Sequence, residues 1–476
     1  MTAIAAPAPT SPYHVSYDLR WWIFAVVITA EVMDLLDATV INIAAPAIRN
    51  DLGGSASMIE WLASGYTLAF AVLLIVGGRL GDLYGRRKLF IIGAIGFTVT
   101  SALCGVASTP GILIGSRVLQ GALGAMLIPQ GLGMLKEVFP EDEINKAFGA
   151  FGPVMGMSAV GGPILAGFLI DADIFNTGWR MIFLINVPIG LWATYGAWRF
   201  MPRTEGTHDG RLDVWGAVLI SVSMGSIVYP LIQGRELGWP TWTFVMLGAG
   251  VLLTYAFGRY ESRSNSPLVV MDLLRKVHFS SGLVVILLSQ IAMGGVFLSF
   301  SVHLQLNAGY SPLRAALAQA PLALGIAVGS VVAYQLLPKI GRKATQIGFA
   351  LDTGALLWLS WRVGSQSLHA SAWSYTPMLA IMGIGLGFVF GTLFATALAA
   401  VGENEVGTAS STLTASQQLG TCFGVAIVGT IFFSYLSSGV SATTTMSRTA
   451  LICAAFFLLS LASTWLLPRQ ARLDPH

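Results

Sequence analysis

The sequence predicts an all-α integral membrane protein of fourteen spans, arranged as six, two and six. Three observations carry this. Of 476 residues, 55% are hydrophobic and 10% charged, against roughly 25% charged in a soluble domain, and the mean hydropathy is +0.72. Apolar stretches of about 20 residues, enough to cross a hydrocarbon layer of about 30 Å, recur from end to end. Lysines and arginines fall in short clusters between those stretches and form no single patch, which marks loops and argues against nucleic-acid binding.

In chain order, residues 1–20 are Ala- and Pro-rich without a cationic leader, and read as a disordered tail that is retained. Spans are expected near 21–48, 60–79, 89–108, 111–136, 144–170 and 180–200, an N-terminal bundle over 21–200. The polar break "MPRTEGTHDGRLD" opens a linker unit, 201–276, with two extra spans near 214–233 and 241–259. Six more spans, near 277–307, 311–337, 344–363, 373–400, 404–436 and 448–468, form a C-terminal bundle over 277–468, and 469–476 is a tail.

Alternate loops test this map. Loops on the side of the N-terminus hold 19 of the 26 basic residues, among them Arg211 and Arg472, so both termini are expected in the cytoplasm. "GRLGDLYGRRKLFIIG" after span 2 is echoed by "YQLLPKIGRKATQIG" after span 10, the pattern of a repeated bundle with a substrate site between its copies. Cys104, Cys422 and Cys453 lie in apolar runs and read as buried thiols. No cluster has metal-ligand spacing and no phosphate-binding loop occurs, so neither a metal cofactor nor ATP is expected.

The chemistry concentrates in span 1. At about 100° per residue, Glu31, Asp34, Asp37 and Asn42 share one arc of about 140°. A charge at the bilayer centre costs roughly 2.5–3.5 kcal/mol, so the acids must face a cavity or a partner cation. Arg117 in span 4 lies at the same depth as Asp37, in the half remote from the termini, and is the expected partner. Glu31 and Asp34, without a partner in the sequence, are suited to take up and release protons; a purely structural Asp37–Arg117 clamp is the other reading.

In "GGRLGDLYGRRKLF", Gly78, Gly81 and Gly85 allow close approach and a tight turn, while Asp82, Arg86 and Arg87 form a charged cluster. Charge alone reads this as a cytoplasmic anchor or as a conformational latch. In span 5, Gly162, Pro163 and Gly167 permit close packing and a kink. Gln290, Phe297, Phe300, Phe390 and Phe394 are candidates for a cavity wall, together with Glu31, Asp34 and Asn42. Asp352, His303, Gln305, Gln417 and Gln418 are further embedded polar groups. Glu60, Glu403 and Glu405 are explained by helix N-termini, and Trp358 and Trp361 by the membrane interface.

These motifs carry a resemblance. "GGRLGDLYGRRKLF" resembles the signature of the major facilitator superfamily, and "LLDATVINIAAPAI" is similar to the span 1 motif of its fourteen-span drug:proton antiporters, with Asp37, Thr39, Asn42 and Pro46 matching. "SRVLQGALGAMLIP" resembles the span 4 motif through Arg117, Gln120 and Gly121. "SAVGGPILAGFL" resembles the antiporter motif, with Ala166 in place of a glycine, and "WRMIFLINVPIG" and "TASQQLG" fit the same pattern. The resemblance implies two six-helix bundles with two inserted helices, a role for Asp37 in proton coupling or in binding cationic drugs, and gating by the span 2–3 loop and span 5.

The expected function is proton-driven export of lipophilic, often cationic, compounds by a monomer in the cell membrane, with the proton gradient as energy source and no catalysis. Two other readings stay open: an exporter of a lipid, a siderophore or a self-made antibiotic, and an integral-membrane enzyme acting on a lipid.

Overall fold

The computed structural model describes residues 16–204, 206, 212–264, 266–365, 371–399, 401–402 and 405–469. Residues 1–15 of the tail, and Arg211, Glu403 and Arg472, lie outside the described residues. The long helices are α1 (Tyr17–Leu52), α2 (Ala56–Tyr84), α3 (Arg86–Gly105), α4 (Pro110–Val138), α5 (Glu141–Ala172), α6 (Asn186–Phe200), α7 (Val214–Gln233), α8 (Thr241–Glu261), α9 (Val277–Val302), α10 (Pro312–Ile340), α11 (Lys343–Gly364), α12 (Thr376–Leu398), α13 (Val406–Ser437) and α14 (Ala442–Ser463). A short turn at Met181–Leu184 leads into α6, a one-turn helix at Met271–Arg275 precedes α9, and α9 ends in a π-turn, His303–Asn307. Helix α1 starts at Tyr17, so part of the expected tail is helical.

Among the described residues, twelve helices are long and apolar enough to cross a membrane, two fewer than expected. Helix α1 falls short because Glu31, Asp34, Asp37, Arg49 and Asp51 leave it no long stretch poor in charge. In α11, Gln346 and Asp352 dilute the apolar residues. Both helices nevertheless pack among the others: α1 against α5, α6 and α4, and α11 against α12 and α14.

Helix ends follow local chemistry. Thr109 and Ser311 cap α4 and α10, each just before a proline whose missing N–H costs nothing there. Gly53 and Gly85 take positive φ, +68° and +89°, where the chain turns sharply. Asp213 caps α7, accepting from the Gly216 N–H, the Tyr260 hydroxyl and the Ser264 hydroxyl, each at 2.8 Å. Burial opposes its ionisation, but these hydrogen bonds outweigh it and hold the carboxyl below its usual range. A depressed folded pKa gives stability that is complete above the unfolded value of about 3.9 and is lost as pH falls through the folded one. Asp213→Ala is therefore expected to lower stability by about 1 kcal/mol at neutral pH, a deficit that shrinks on acidification in melting curves.

The two bundles repeat one another. Helices α2 and α4 meet backbone to backbone, since a Cβ on Gly77 would lie 2.1 Å from the Ala125 carbonyl oxygen and one on Gly121 would lie 2.2 Å from that of Tyr66. Their counterparts α10 and α12 meet the same way through Gly329, Gly383 and Gly387. The pairs α1–α6, α3–α4 and α3–α6 likewise recur as α9–α14, α11–α12 and α11–α14. This gives the echo after spans 2 and 10 a structural basis. Helices α7 and α8 pack on each other, and α7 fills the groove between α2 and α13.

Contacts between the bundles sit in the half of the molecule remote from the chain termini, here the far end. Gly167 of α5 packs on the backbone of α10, where a Cβ would be 2.5 Å from the Leu313 Cα, and Asp171 accepts from the Ser311 hydroxyl at 2.7 Å. Ser64 of α2 bonds the Cys422 carbonyl of α13 at 3.4 Å. Toward the terminal end, α5 stays packed on its own bundle, with Glu143 paired to Arg20 at 2.9 Å and Ala147 1% exposed, but nothing lies within 4 Å of a Cβ built on Gly156 or Gly161. The bundles are joined at the far end and part toward the other. All three cysteines are free and buried, as expected.

Candidate functional site

The acids of α1 form a ladder whose rungs are about 4.5 Å apart along the helix axis. Asp37, 1% exposed, is ion-paired with Arg117, 0% exposed. Its second oxygen accepts from the Gln120 amide and the Asn186 amide, both at 3.0 Å. Asn186 is held in turn by Ser101 at 3.1 Å, and Arg117 also donates to Gln120 at 2.7 Å. The predicted pair is thus real, and four helices supply it: α1, α3, α4 and α6. Charge-assisted bonds of this kind are the strong ones and act against the desolvation of both ions, although the Arg117 Nη2 has no hydrogen-bond partner.

Tyr66 of α2 joins this pair to the next rung. Its ring lies 4.4 Å from the Arg117 guanidinium, a cation–π contact, and its hydroxyl donates to Asp34. Gly124 of α4 leaves room there, for a Cβ would come within 3.0 Å of the Asp34 carboxyl. Asp34 is half-buried, the one acid of the three with appreciable exposure. Glu31 is 7% exposed, with one carboxyl oxygen lacking a hydrogen-bond partner. The ladder therefore has a sealed rung at Asp37, with both carboxyl oxygens bonded, and less constrained rungs at Asp34 and Glu31, toward the end where the bundles part.

Span 5 touches this ladder from the other side. A Cβ on Gly162 would sit 2.5 Å from the Thr39 hydroxyl of α1, while Gly167 forms the seam with α10 already described. Pro163 lies between them, half-buried.

Asn42 lies at the seam and takes part through its backbone. Pro46 has no N–H, so the Asn42 carbonyl four residues earlier has no partner within α1. Ser301 of α9 donates to it at 2.6 Å, and Gln305 donates to the neighbouring Ile43 carbonyl at 3.0 Å. The π-turn just beyond Val302 includes Gln305, a local widening frequent at functional sites. His303, 1% exposed, has an Nδ1 without a hydrogen-bond partner.

The loop cluster is a bracket within the first bundle. Arg86 bonds Asp82 and Glu137, each at 2.8 Å, tying the α2–α3 turn to the end of α4. Gly81 makes room for Gln130 and Gly85 for the Thr204 backbone, while Gly78 faces Pro129 at 3.8 Å. Arg87 donates to the Trp198 carbonyl near the end of α6.

The aromatic candidates separate. Phe297 and Phe300 line a small void inside the second bundle with Gln319 and Met382, and Phe300, 2% exposed, packs on Tyr375. Phe300 is core packing and not an open wall. Gln290, 5% exposed, packs on Gly420 between α9 and α13. Phe390 and Phe394 on α12 are half-buried against the main core.

Sequence reasoning missed Glu60. It is 0% exposed, pairs with Arg235 of the α7–α8 loop at 3.2 Å, and lies 3.1 Å from the Thr430 hydroxyl of α13. No helix terminus explains that setting. Beside it, Glu236 takes the Ser57 N–H at 2.9 Å and the Ser57 hydroxyl at 2.8 Å. Burial works against its charge, but these bonds prevail and keep its carboxyl below the usual range.

Comparison with known proteins agrees with this architecture. The chain is 47% identical over 431 residues to the "Probable actinorhodin transporter" of Streptomyces coelicolor, covering 90% of this chain and 75% of that one. It is 35% identical over 416 residues to the puromycin resistance protein pur8 of Streptomyces alboniger, covering 87% and 82%. The crystal structure of a bacterial homolog of the human lysosomal transporter Spinster has the same fold, with a TM-score of 0.70 at 16% identity over 95% of this chain and 97% of that one. Residues 27–425 match the description of a family of transporters, not enzymes, and the chain belongs to it: the Major Facilitator Superfamily.

Proposed function

We propose that this protein is a proton-coupled exporter of lipophilic, often cationic, compounds. The observation that carries this reading is the ladder itself, in which a sealed Asp37–Arg117 pair is wired through Tyr66 to a half-buried Asp34. A proton arriving at Asp34 weakens its bond from Tyr66, and the Tyr66 ring transmits that change to Arg117. Asp37 is the structural keystone, and Asp34 and Glu31 are the groups that exchange protons or meet a cationic substrate. Moving one elementary charge across the membrane is worth about 2.3 kcal/mol per 100 mV, enough to drive one step of a cycle in which the far seam opens and the terminal end closes.

In this reading α1 and α11 also cross the membrane, making fourteen spans, because polar residues in a bundle interior cost little when partnered. Both termini are cytoplasmic, and the protein works as a monomer in the cell membrane. Phe390 and Phe394 contribute the apolar wall of the substrate path, and the Asp82–Arg86–Glu137 bracket and the Gly162–Pro163–Gly167 stretch move with each cycle. A narrower reading, export of a self-made antibiotic, is favoured by the relative named for actinorhodin.

The test is transport into proteoliposomes under an imposed pH gradient, comparing wild type with Asp34→Asn, Glu31→Gln and Asp37→Asn. Asp34→Asn is expected to lose uphill transport while retaining downhill exchange. Uphill transport at the wild-type rate in both Asp34→Asn and Glu31→Gln would overturn the assignment.

A further inference from the structure

Glu60 sits where the two bundles and the inserted helices converge. The charged or titratable groups facing it are Arg235 and Glu236, both from the α7–α8 loop. Helix α13 presents Thr430 and Gly429, and Leu298 of α9 closes the side. Arg235 is 3.2 Å from Glu60 and 3.9 Å from Glu236, and stacks 5.0 Å from the Phe433 ring. Two carboxyls thus share one cation.

Hydrogen counting distinguishes them. Glu236 receives donors from Ser57 twice and from the Gln233 amide at 3.3 Å. On Glu60, one oxygen takes Arg235, and the other faces only the Thr430 hydroxyl. That hydroxyl has a single proton and a second, closer acceptor, the Leu231 carbonyl at the end of α7, at 2.7 Å. If Thr430 donates to Leu231, the Glu60 oxygen is buried without a donor; if it donates to Glu60, the Leu231 carbonyl loses this cap. An unmet buried acceptor costs about 1–3 kcal/mol. One added proton resolves the conflict: Glu60 donates to Thr430, and Thr430 donates to Leu231.

We infer that Glu60 is a second proton-binding site, separate from the α1 ladder, which must be loaded for the far end to close. The proton comes from water on the far side while the seam is open, is trapped when α2, α7 and α13 come together, and returns to the same side at the next opening. It sets the balance between the two conformations and adds nothing to the protons carried across. The inserted helices, through Arg235 and Leu231, form part of the device.

The test needs neither substrate nor transport. Nitroxide labels on Ser108 and Ser438, both exposed at the far end, report its opening by pulsed electron spin resonance on the full-length protein in lipid nanodiscs. In wild type, the closed-to-open ratio should fall with rising pH, and Glu60 contributes up to about tenfold per unit. Glu60→Gln, which carries the amide hydrogen permanently, should stay closed and lose that one-proton share of the slope. Infrared spectra at neutral pH should show a protonated carboxyl band that Glu60→Gln abolishes. A wild-type ratio unchanged from about pH 5 to about pH 9, an unaltered slope in Glu60→Gln, or loss of only a carboxylate band would each overturn the inference; the first requires no variant to fold.

Discussion

Arg117→Leu is expected to cost about 3–5 kcal/mol of stability, because it leaves the Asp37 carboxylate buried without its cation. Both side chains have 0% exposure, so no solvent screening softens the loss. The Gln120 and Asn186 amides remain on one oxygen of Asp37, but neither carries charge. Removing both partners, as Asp37→Leu with Arg117→Leu, should restore most of the stability, since apolar pairs of similar volume commonly replace buried ion pairs without penalty. Transport should stay lost in the double variant, because Tyr66 no longer has a cation through which to answer Asp34. Thermal unfolding in detergent and transport in proteoliposomes separate the two effects. A single variant as stable as wild type would show that the pair contributes nothing.

Gly167→Val should have the second largest effect, and a different one. The missing side chain lets α5 rest on the α10 backbone at Leu313, and a branched residue there cannot be accommodated while the seam is shut. Overpacking costs about 1–3 kcal/mol. Here the penalty falls only on the closed far end, so the closed-to-open ratio should drop by roughly 5- to 150-fold. Overall stability in the open conformation should change little. Labels on Ser108 and Ser438 would read this as a shift to longer distances; an unchanged distribution would mean that α5 and α10 do not form the seam.

The contrast between these sites shows what a sequence discloses. The polar arc of α1 was legible because carboxylates in an apolar helix have few explanations, and Arg117 followed from depth alone. Tyr66 was not, since a tyrosine in a span is ordinary until its ring and hydroxyl are seen to face different partners. Asn186 stood inside a recognised motif, yet only the packing of α6 on α1 and α3 reveals that it serves Asp37. Glu60 was misread because its partners, Arg235 and Thr430, lie far along the chain. The long helices were legible from apolar runs and basic clusters, but among the described residues twelve, and not the expected fourteen, are long and apolar enough to cross a membrane. Apolar runs alone did not reveal how far the charges of α1 and the buried Asp352 of α11 set those two helices apart. Phe300 illustrates the reverse error: aromatic character does not reveal whether a ring faces a path or a core.

The proline of α1 has one more implication. A clasp made by main-chain oxygens survives side-chain replacement, so position 42 can change its chemistry without releasing the hold of Ser301 on that helix. Side chains along this stretch can therefore vary while the clasp between α1 and α9 is inherited intact, and Pro46, by freeing the Asn42 carbonyl from its own helix, is the residue that makes this so.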